Sequence, residues 1–317
     1  MILAIPTMIV VPFVKPQEPE GESINIEWAT EEAQDSLFSV AVKRVSAEKV
    51  DHVPLETYVT RVIASEMPAD FEMEALKAQG IAARTYIVNH LMYQSEHDSA
   101  EITDTVQHQV YKDEEELRKQ WGQKYHENME RLTEAVHATK GQIITYNQQP
   151  ITPAFFSTSN GYTENAEDYW ENALPYLKSV ASPWDVESPK YLNQQIFTIA
   201  EVEKALGITL PKDRSIDMEI TRTESQRVKE LHIAGHSFSG REVREKLGLP
   251  SSDFTIKQQQ QHLVFTTKGY GHGIGMSQYG ANGMAKEGKT YEDIIKYYYQ
   301  GVEIMHVKDV APMLVAN

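Results

Sequence analysis

The chain has 317 residues, 41% of them apolar and 24% charged, with a formal net charge of -16 and no cysteine. That length holds one large or two modest domains, and the composition is that of a folded protein. The charge excludes nucleic acid as a partner, since phosphate binding needs a basic face; the missing cysteine excludes disulfides and thiol catalysis.

Residues 1–14 are uncharged and almost wholly apolar, and Lys15-Pro16-Gln17-Glu18-Pro19-Glu20-Gly21 follows as a linker. A spanning helix needs about 20 apolar residues, and no basic n-region marks a signal peptide. We read residues 1–21 as the trailing part of a membrane anchor with its linker; a disordered apolar tail is the plainer alternative. Ile24, Ile26, Phe38, Val40 and Val42 alternate loosely, which predicts strands over residues 24–43. Val53-Pro54 then opens a helix, proline being favoured at the first helical position. Leu55, Tyr58, Val59, Val62 and Ile63 fall at helical spacing. Glu66 follows Val62 by four residues and Ile63 by three, so it projects from the same inward face. Pro68 pushes Met67 out of the α region and stops the helix.

Asp70 is placed to cap a second helix over residues 72–93, on which Leu76, Gly80, Ala83, Arg84, Ile87 and Leu91 share a face. A charged helix is predicted over residues 113–139, stopped by Gly141. Residues 142–156 read as a hairpin turning at Asn147-Gln148-Gln149, and a polar loop then leads to Tyr169-Trp170. Residues 197–250 predict an inserted α/β lobe with helices near Ile199–Leu206 and Gly240–Leu247. Phe265 to Thr267 is a strand entering a glycine-rich loop, residues 291–299 form a closing helix, and residues 308–317 are expected to fray. The class is α+β: helices and antiparallel strands around a central substrate groove, in a body spanning residues 22–307.

Two constellations could carry chemistry. A glutamate on an apolar helix face is desolvated, and the negative end of the helix dipole disfavours its charge further. Both effects keep Glu66 protonated near neutral pH, as a general acid requires. The competing reading pairs Glu66 with Arg84 in a structural bridge, and residue chemistry alone leaves both open. A buried arginine wants a carboxylate or a ligand, so Arg84 either holds Glu66 or binds substrate oxygens. Tyr86 lies about 200° further round the helix and is the weaker candidate. The second constellation is Gly269-Tyr270-Gly271-His272-Gly273-Ile274-Gly275-Met276-Ser277-Gln278-Tyr279-Gly280-Ala281. It lacks the P-loop ending and the dinucleotide fingerprint, but His272, Ser277, Gln278 and Tyr279 suit sugar hydroxyls and amides. The bland alternative is a glycine-rich turn with a satisfied histidine. No zinc-ligand spacing occurs among the 11 histidines, and no nucleophile elbow is present.

These residues resemble the stage II sporulation protein D family of peptidoglycan lytic transglycosylases. The resemblance runs through Val53-Pro54-Leu55-Glu56, Glu66-Met67-Pro68 and Ala82-Ala83-Arg84-Thr85-Tyr86. It continues at Asp104-Thr105-x-x-x-Gln109-Val110-Tyr111, Phe156-Ser157-Thr158-Ser159-x-Gly161 and Gly271-His272-Gly273-x-Gly275-Met276-Ser277-Gln278-Tyr279-Gly280-Ala281. The motifs keep the family's order over most of residues 50–300. The resemblance implies cleavage of the β-1,4 bond between N-acetylmuramic acid and N-acetylglucosamine, leaving 1,6-anhydro ends. It implies Glu66 as catalyst, with Arg84, Tyr86, His272, Ser277, Gln278 and Tyr279 binding substrate. It further implies membrane localisation at the sporulation septum, glycan strands stripped of stem peptides as substrate, and an engulfment amidase and its membrane scaffold protein as partners. Some family members hold zinc near the segment matching Gln109-Val110-Tyr111, using cysteines and histidines; here only His108 remains, so no metal and no cofactor is expected. Two other hypotheses stand beside it: a non-catalytic glycan-binding septal scaffold, and a muramidase pairing Glu66 with Asp70 or Asp104.

Overall fold

The computed structural model describes residues 36–93, 102–105, 107–170, 172–211 and 213–315. The apolar stretch and linker of residues 1–21, and the strand positions Ile24 and Ile26, lie outside the described residues. Strand β1 (Ser39–Arg44) pairs antiparallel with β2 (Lys49–Pro54) and parallel with β3 (Ile102–Thr103). The alternation of Val40 and Val42 is that of a half-buried strand: both are fully buried.

Helix α1 spans Leu55–Glu66. Pro54 is its N-cap, with φ -51° and ψ 140°, one position ahead of the expected first helical turn. At the other end Met67 is extended, φ -123° and ψ 147°, as a residue before proline must be. A turn closed by the Phe71 N–H on the Pro68 carbonyl leads to α2 (Met73–Tyr93). Asp70 is not the cap of α2: it is exposed on the turn, and the Glu72 carbonyl receives the first helical N–H groups, from Ala75 and Leu76. Nearly every α2 residue from Ala75 to Val88 is buried, small residues included, so this is the central helix on which others stack.

The predicted charged helix is two helices. Gly122, with φ +54°, ends α3 (Glu114–Trp121), and α4 (Tyr125–His137) starts after a single 3-10 turn. Strand β4 (Gln142–Tyr146) turns through Asn147 and Gln148, both left-handed, into the two-residue strand β5 (Gln149–Pro150). The expected hairpin stops there. Pro153 has no N–H for a ladder, and β6 (Phe155–Phe156) pairs instead, in parallel, with Met276–Ser277 from the glycine loop.

Residues 192–268 enclose a second apolar core around Val202, Leu231, Val243, Phe254, Leu263 and Phe265. Its strands are β7 (Leu192–Thr198), β8 (Met218–Arg222), β9 (Val228–Ile233), β10 (His236–Ser239), β11 (Phe254–Gln259) and β12 (His262–Lys268), in two antiparallel sheets. Its helices, Ile199–Leu206 and Gly240–Leu247, each start in a complete capping box, Thr198 with Glu201 and Ser239 with Glu242. The core therefore extends past residue 250 into the strands that feed the glycine loop. After the closing helix Tyr291–Tyr298, the strand Glu303–His306 returns to β4. The chain then packs down rather than fraying: Val307 and Ala311 are buried with Val88 and Ile143.

Candidate active site

Glu66 is the last residue of α1 and is half-buried. Its carboxylate accepts the Val110 N–H, yet burial dominates and raises its pKa above the ordinary 4.5. Three consecutive residues of the Asp104–Tyr111 motif contact this helix along its length. Gln109 Oε1 accepts from the Tyr58 hydroxyl at 3.0 Å, Val110 meets Glu66, and the Tyr111 hydroxyl accepts from Arg61 Nη1 at 2.7 Å. Tyr58 is buried, stacks on Tyr111 at 5.8 Å, and lies within electrostatic reach of Glu66 and Tyr86. Asp104 is spent elsewhere, accepting from Arg44 Nε at 2.9 Å and from the Val45 N–H.

Arg84 points away from this group, which corrects the expectation that it lines a groove with Glu66. It is fully buried and binds Glu56, with Nη2 at 2.5 Å and Nε at 3.0 Å from Oε2. It also donates to the carbonyls of Gln142 and Val136, while Glu56 Oε1 accepts the Gly141 N–H. The structural bridge exists, but with Glu56. Tyr86, on the opposite side of α2, is the residue facing Tyr58, and its ring stacks on His90. A helix enclosed all round sends residues two apart to different neighbours.

The glycine loop is clamped to the Phe156–Gly161 motif. Thr158 and Tyr270 exchange backbone hydrogen bonds, and Met276 N–H reaches Ala154 O. Gly275 has φ +76°, and a Cβ there would sit 2.0 Å from the Ala154 carbonyl oxygen, so only glycine fits. Ser277 is fully buried and is the N-cap of the helix Gln278–Lys286. Its hydroxyl donates to Asp185 Oδ1 at 2.5 Å, so it braces the loop instead of facing solvent. Asp185 also accepts from Ser182 Oγ and from both the N–H and hydroxyl of Ser159. Burial still raises its pKa. Gln278 is buried at the first turn of the same helix.

Tyr279 is the loop residue that meets the Glu66 side. Its ring packs edge-on to Phe71 at 5.0 Å, just beyond the Glu66-Met67-Pro68 corner. A cleft of about 440 Å³ opens here, lined by Pro68, Asp70, Phe71, Trp184, Tyr279 and Asn282 but not by Glu66 itself. His272 lies in an aromatic nest of Phe156, Tyr169 and Trp170. The six expected binding residues are thus not one ring about Glu66. Tyr86 neighbours Tyr58, which Glu66 also influences, Tyr279 packs on Phe71 beyond the Pro68 corner, His272 stands in its own aromatic nest, and Arg84, Ser277 and Gln278 are internal. Sequence reasoning missed Tyr58, Glu56 and Asp185. Tyr58 had a usable signal, being two turns before Glu66 on its face; Asp185 had only its position in Ser182-Pro183-Trp184-Asp185.

Comparison with known proteins decides the family. Residues 43–146 match the family model described as Stage II sporulation protein. Over 316 residues the chain is 48% identical to the stage II sporulation protein D of Bacillus subtilis (strain 168), spanning 96% of this chain and 92% of the relative. The chain belongs to the stage II sporulation protein D family. The Bacillus amyloliquefaciens stage II sporulation protein D is 46% identical over 320 residues, with the same coverage of each chain. A Bacillus subtilis protein named amidase enhancer is 30% identical over 305 residues, spanning 77% of this chain and 39% of that relative. Family membership supports a role in sporulation.

The zinc held by some family members does not fit the residues here. His108 Nδ1 is already engaged by the Thr103 N–H at 3.1 Å and Thr103 Oγ1 at 2.8 Å. There is no cysteine, and among the described residues no group of three or more His, Asp or Glu side chains could hold a metal ion.

Proposed function

We propose that this chain is a lytic transglycosylase of peptidoglycan, acting through Glu66 alone. The observation that carries the reading is Glu66 itself: a carboxyl whose hold on its proton burial strengthens, at a helix end, with Tyr58 within electrostatic reach and an aromatic-lined cleft opening just past Pro68. The protonated carboxyl donates to the glycosidic oxygen, and the bond from muramic C1 to that oxygen breaks. The muramic C6 hydroxyl attacks C1 and gives its proton to the same carboxylate, closing the 1,6-anhydro ring. No water enters, so no second carboxylate is required, whereas a hydrolase needs two at fixed separation. Arg44 already occupies Asp104, which weakens the muramidase alternative.

Product mass tests the chemistry. Purified protein acting on peptide-stripped glycan should release fragments one water lighter than hydrolysed ends. Hydrolysed ends would replace the transglycosylase with a muramidase, and no cleavage at all would favour a glycan-binding scaffold.

We place this activity at the outer face of the cell membrane during septal remodelling and engulfment, beside an amidase that strips the stems and a membrane scaffold. The amidase enhancer relative and the family's sporulation role support that setting. No helix of the described residues is long and apolar enough to cross a membrane, so the proposed tether rests on residues 1–21. Deleting residues 1–21, together with any upstream anchor sequence, should release the protein from the membrane fraction; unchanged septal localisation would remove the tether.

A further inference from the structure

One basic side chain beside the glycine loop has no role in the site described above. The His272 ring sits 5.7 Å from Phe156, 5.8 Å from Trp170 and 6.2 Å from Tyr169, and its Nδ1 accepts the Ile274 N–H. Burial, then repulsion from Arg244 and Arg227, lowers its pKa to about 4, so the imidazole is neutral. Tyr169 and Trp170 are half-exposed and form an aromatic shelf with His272.

The second lobe's helix Gly240–Leu247 docks on this shelf. The Arg241 guanidinium lies 4.9 Å from the Tyr169 ring centre and is paired with Glu245. Arg244 donates to the Tyr169 hydroxyl at 3.0 Å and to the Pro250 carbonyl at 3.4 Å. That same carbonyl accepts the Gly271 N–H, tying Arg244 to the glycine loop. Both Arg244 partners are neutral oxygens, and among the described residues no carboxylate pairs with it. A half-buried guanidinium with no counter-ion stands out in a chain carrying 46 acidic residues. Such a fork, with donors to spare, suits a planar carboxylate bound in two-point fashion.

We propose that Arg244 is a specificity-determining contact for the free lactyl carboxylate of a muramic acid residue whose sugar ring lies on the Tyr169–Trp170–His272 shelf. This rests on the glycan-cleaving reading above. N-acetylmuramic acid differs from N-acetylglucosamine by its 3-O-lactyl group. Once the stem peptide is gone, that group ends in a carboxylate instead of an amide. An arginine fork distinguishes the two by charge, while the aromatic shelf accepts the sugar without distinguishing them.

Equilibrium binding to the Glu66→Gln protein, which holds substrate without turnover, tests this with three glycans of equal length. They are a muramic-acid strand with free lactyl carboxylates, the same strand with those groups amidated, and a chito-oligosaccharide. The free-acid strand should bind about tenfold tighter than the other two, the scale of one charge-assisted hydrogen-bond pair. Adding Arg244→Gln should remove that preference, the free-acid strand then binding no more tightly than the amidated strand or the chito-oligosaccharide. Equal binding of free-acid and amidated strands, or a preference that survives Arg244→Gln, overturns the assignment while the glycan reading stands. If Arg244→Gln fails to fold, the free-acid and amidated strands compared on the Arg244 protein decide alone. Binding of none of the three removes the glycan reading and this inference with it.

Discussion

Replacing Glu66 with glutamine should lower glycan cleavage by about 10²–10⁴-fold, the usual contribution of a positioned acid/base, with the fold intact. Glutamine keeps the shape and can still accept the Val110 N–H, but it cannot give up or take a proton. Retention of more than about a tenth of the activity would sink the assignment. The same variant carries a second signature, in stability. Burial raises the folded carboxyl's pKa, so the native state favours the proton. The stabilising contribution is complete below the unfolded value and is lost as pH rises through the folded one. Glutamine has no such loss. Its melting temperature should therefore match that of the parent near pH 4 and exceed it near pH 8 (about these values, from the ordinary glutamate range). A gap that does not widen with pH would mean Glu66 is not desolvated.

Arg84→Ala should cost about 3–5 kcal/mol, the usual penalty for removing one partner of a buried ion pair. Glu56 would be left with the Gly141 N–H as its hydrogen-bond partner, and the carbonyls of Val136 and Gln142 would lose their donor. For a domain whose total stability is about 5–15 kcal/mol, this threatens folding at 37 °C (about physiological temperature). Chemical denaturation should register the loss directly. A variant with parental stability and selectively weakened glycan affinity would restore Arg84 to the substrate groove and contradict the geometry. Arg84→Lys should also be costly, since a compact ammonium lacks the planar fork whose Nε, Nη1 and Nη2 reach Glu56 and the two carbonyls in different directions.

Local rules made much of this chain legible. The Glu66 helix end follows from Pro68 alone, because the clash between a proline ring and the preceding residue is a nearest-neighbour effect. The two capped helices of the second lobe were readable for the same reason: their capping boxes and apolar spacing are written within eight residues. The elevated Glu66 pKa was also foreseeable, from an acid on an apolar helical face. Longer-range choices were not. The sequence offered Arg84 one obvious carboxylate, Glu66, yet the partner is Glu56, because the turn of α2 within the packed core sets which side each residue faces. Asp185 gathers Ser159, Ser182 and Ser277 from three separate segments, a convergence no local spacing announces. The strand pairing of Phe155–Phe156 with Met276–Ser277 is likewise a contact across more than a hundred residues. Helix ends, caps and apolar faces were thus determined by neighbours in sequence, through sterics and periodicity. Which buried charge meets which, and which motif side chains brace the loop instead of facing the cleft, was decided only by tertiary packing, because a desolvated polar group takes whatever partner the fold brings within hydrogen-bond reach.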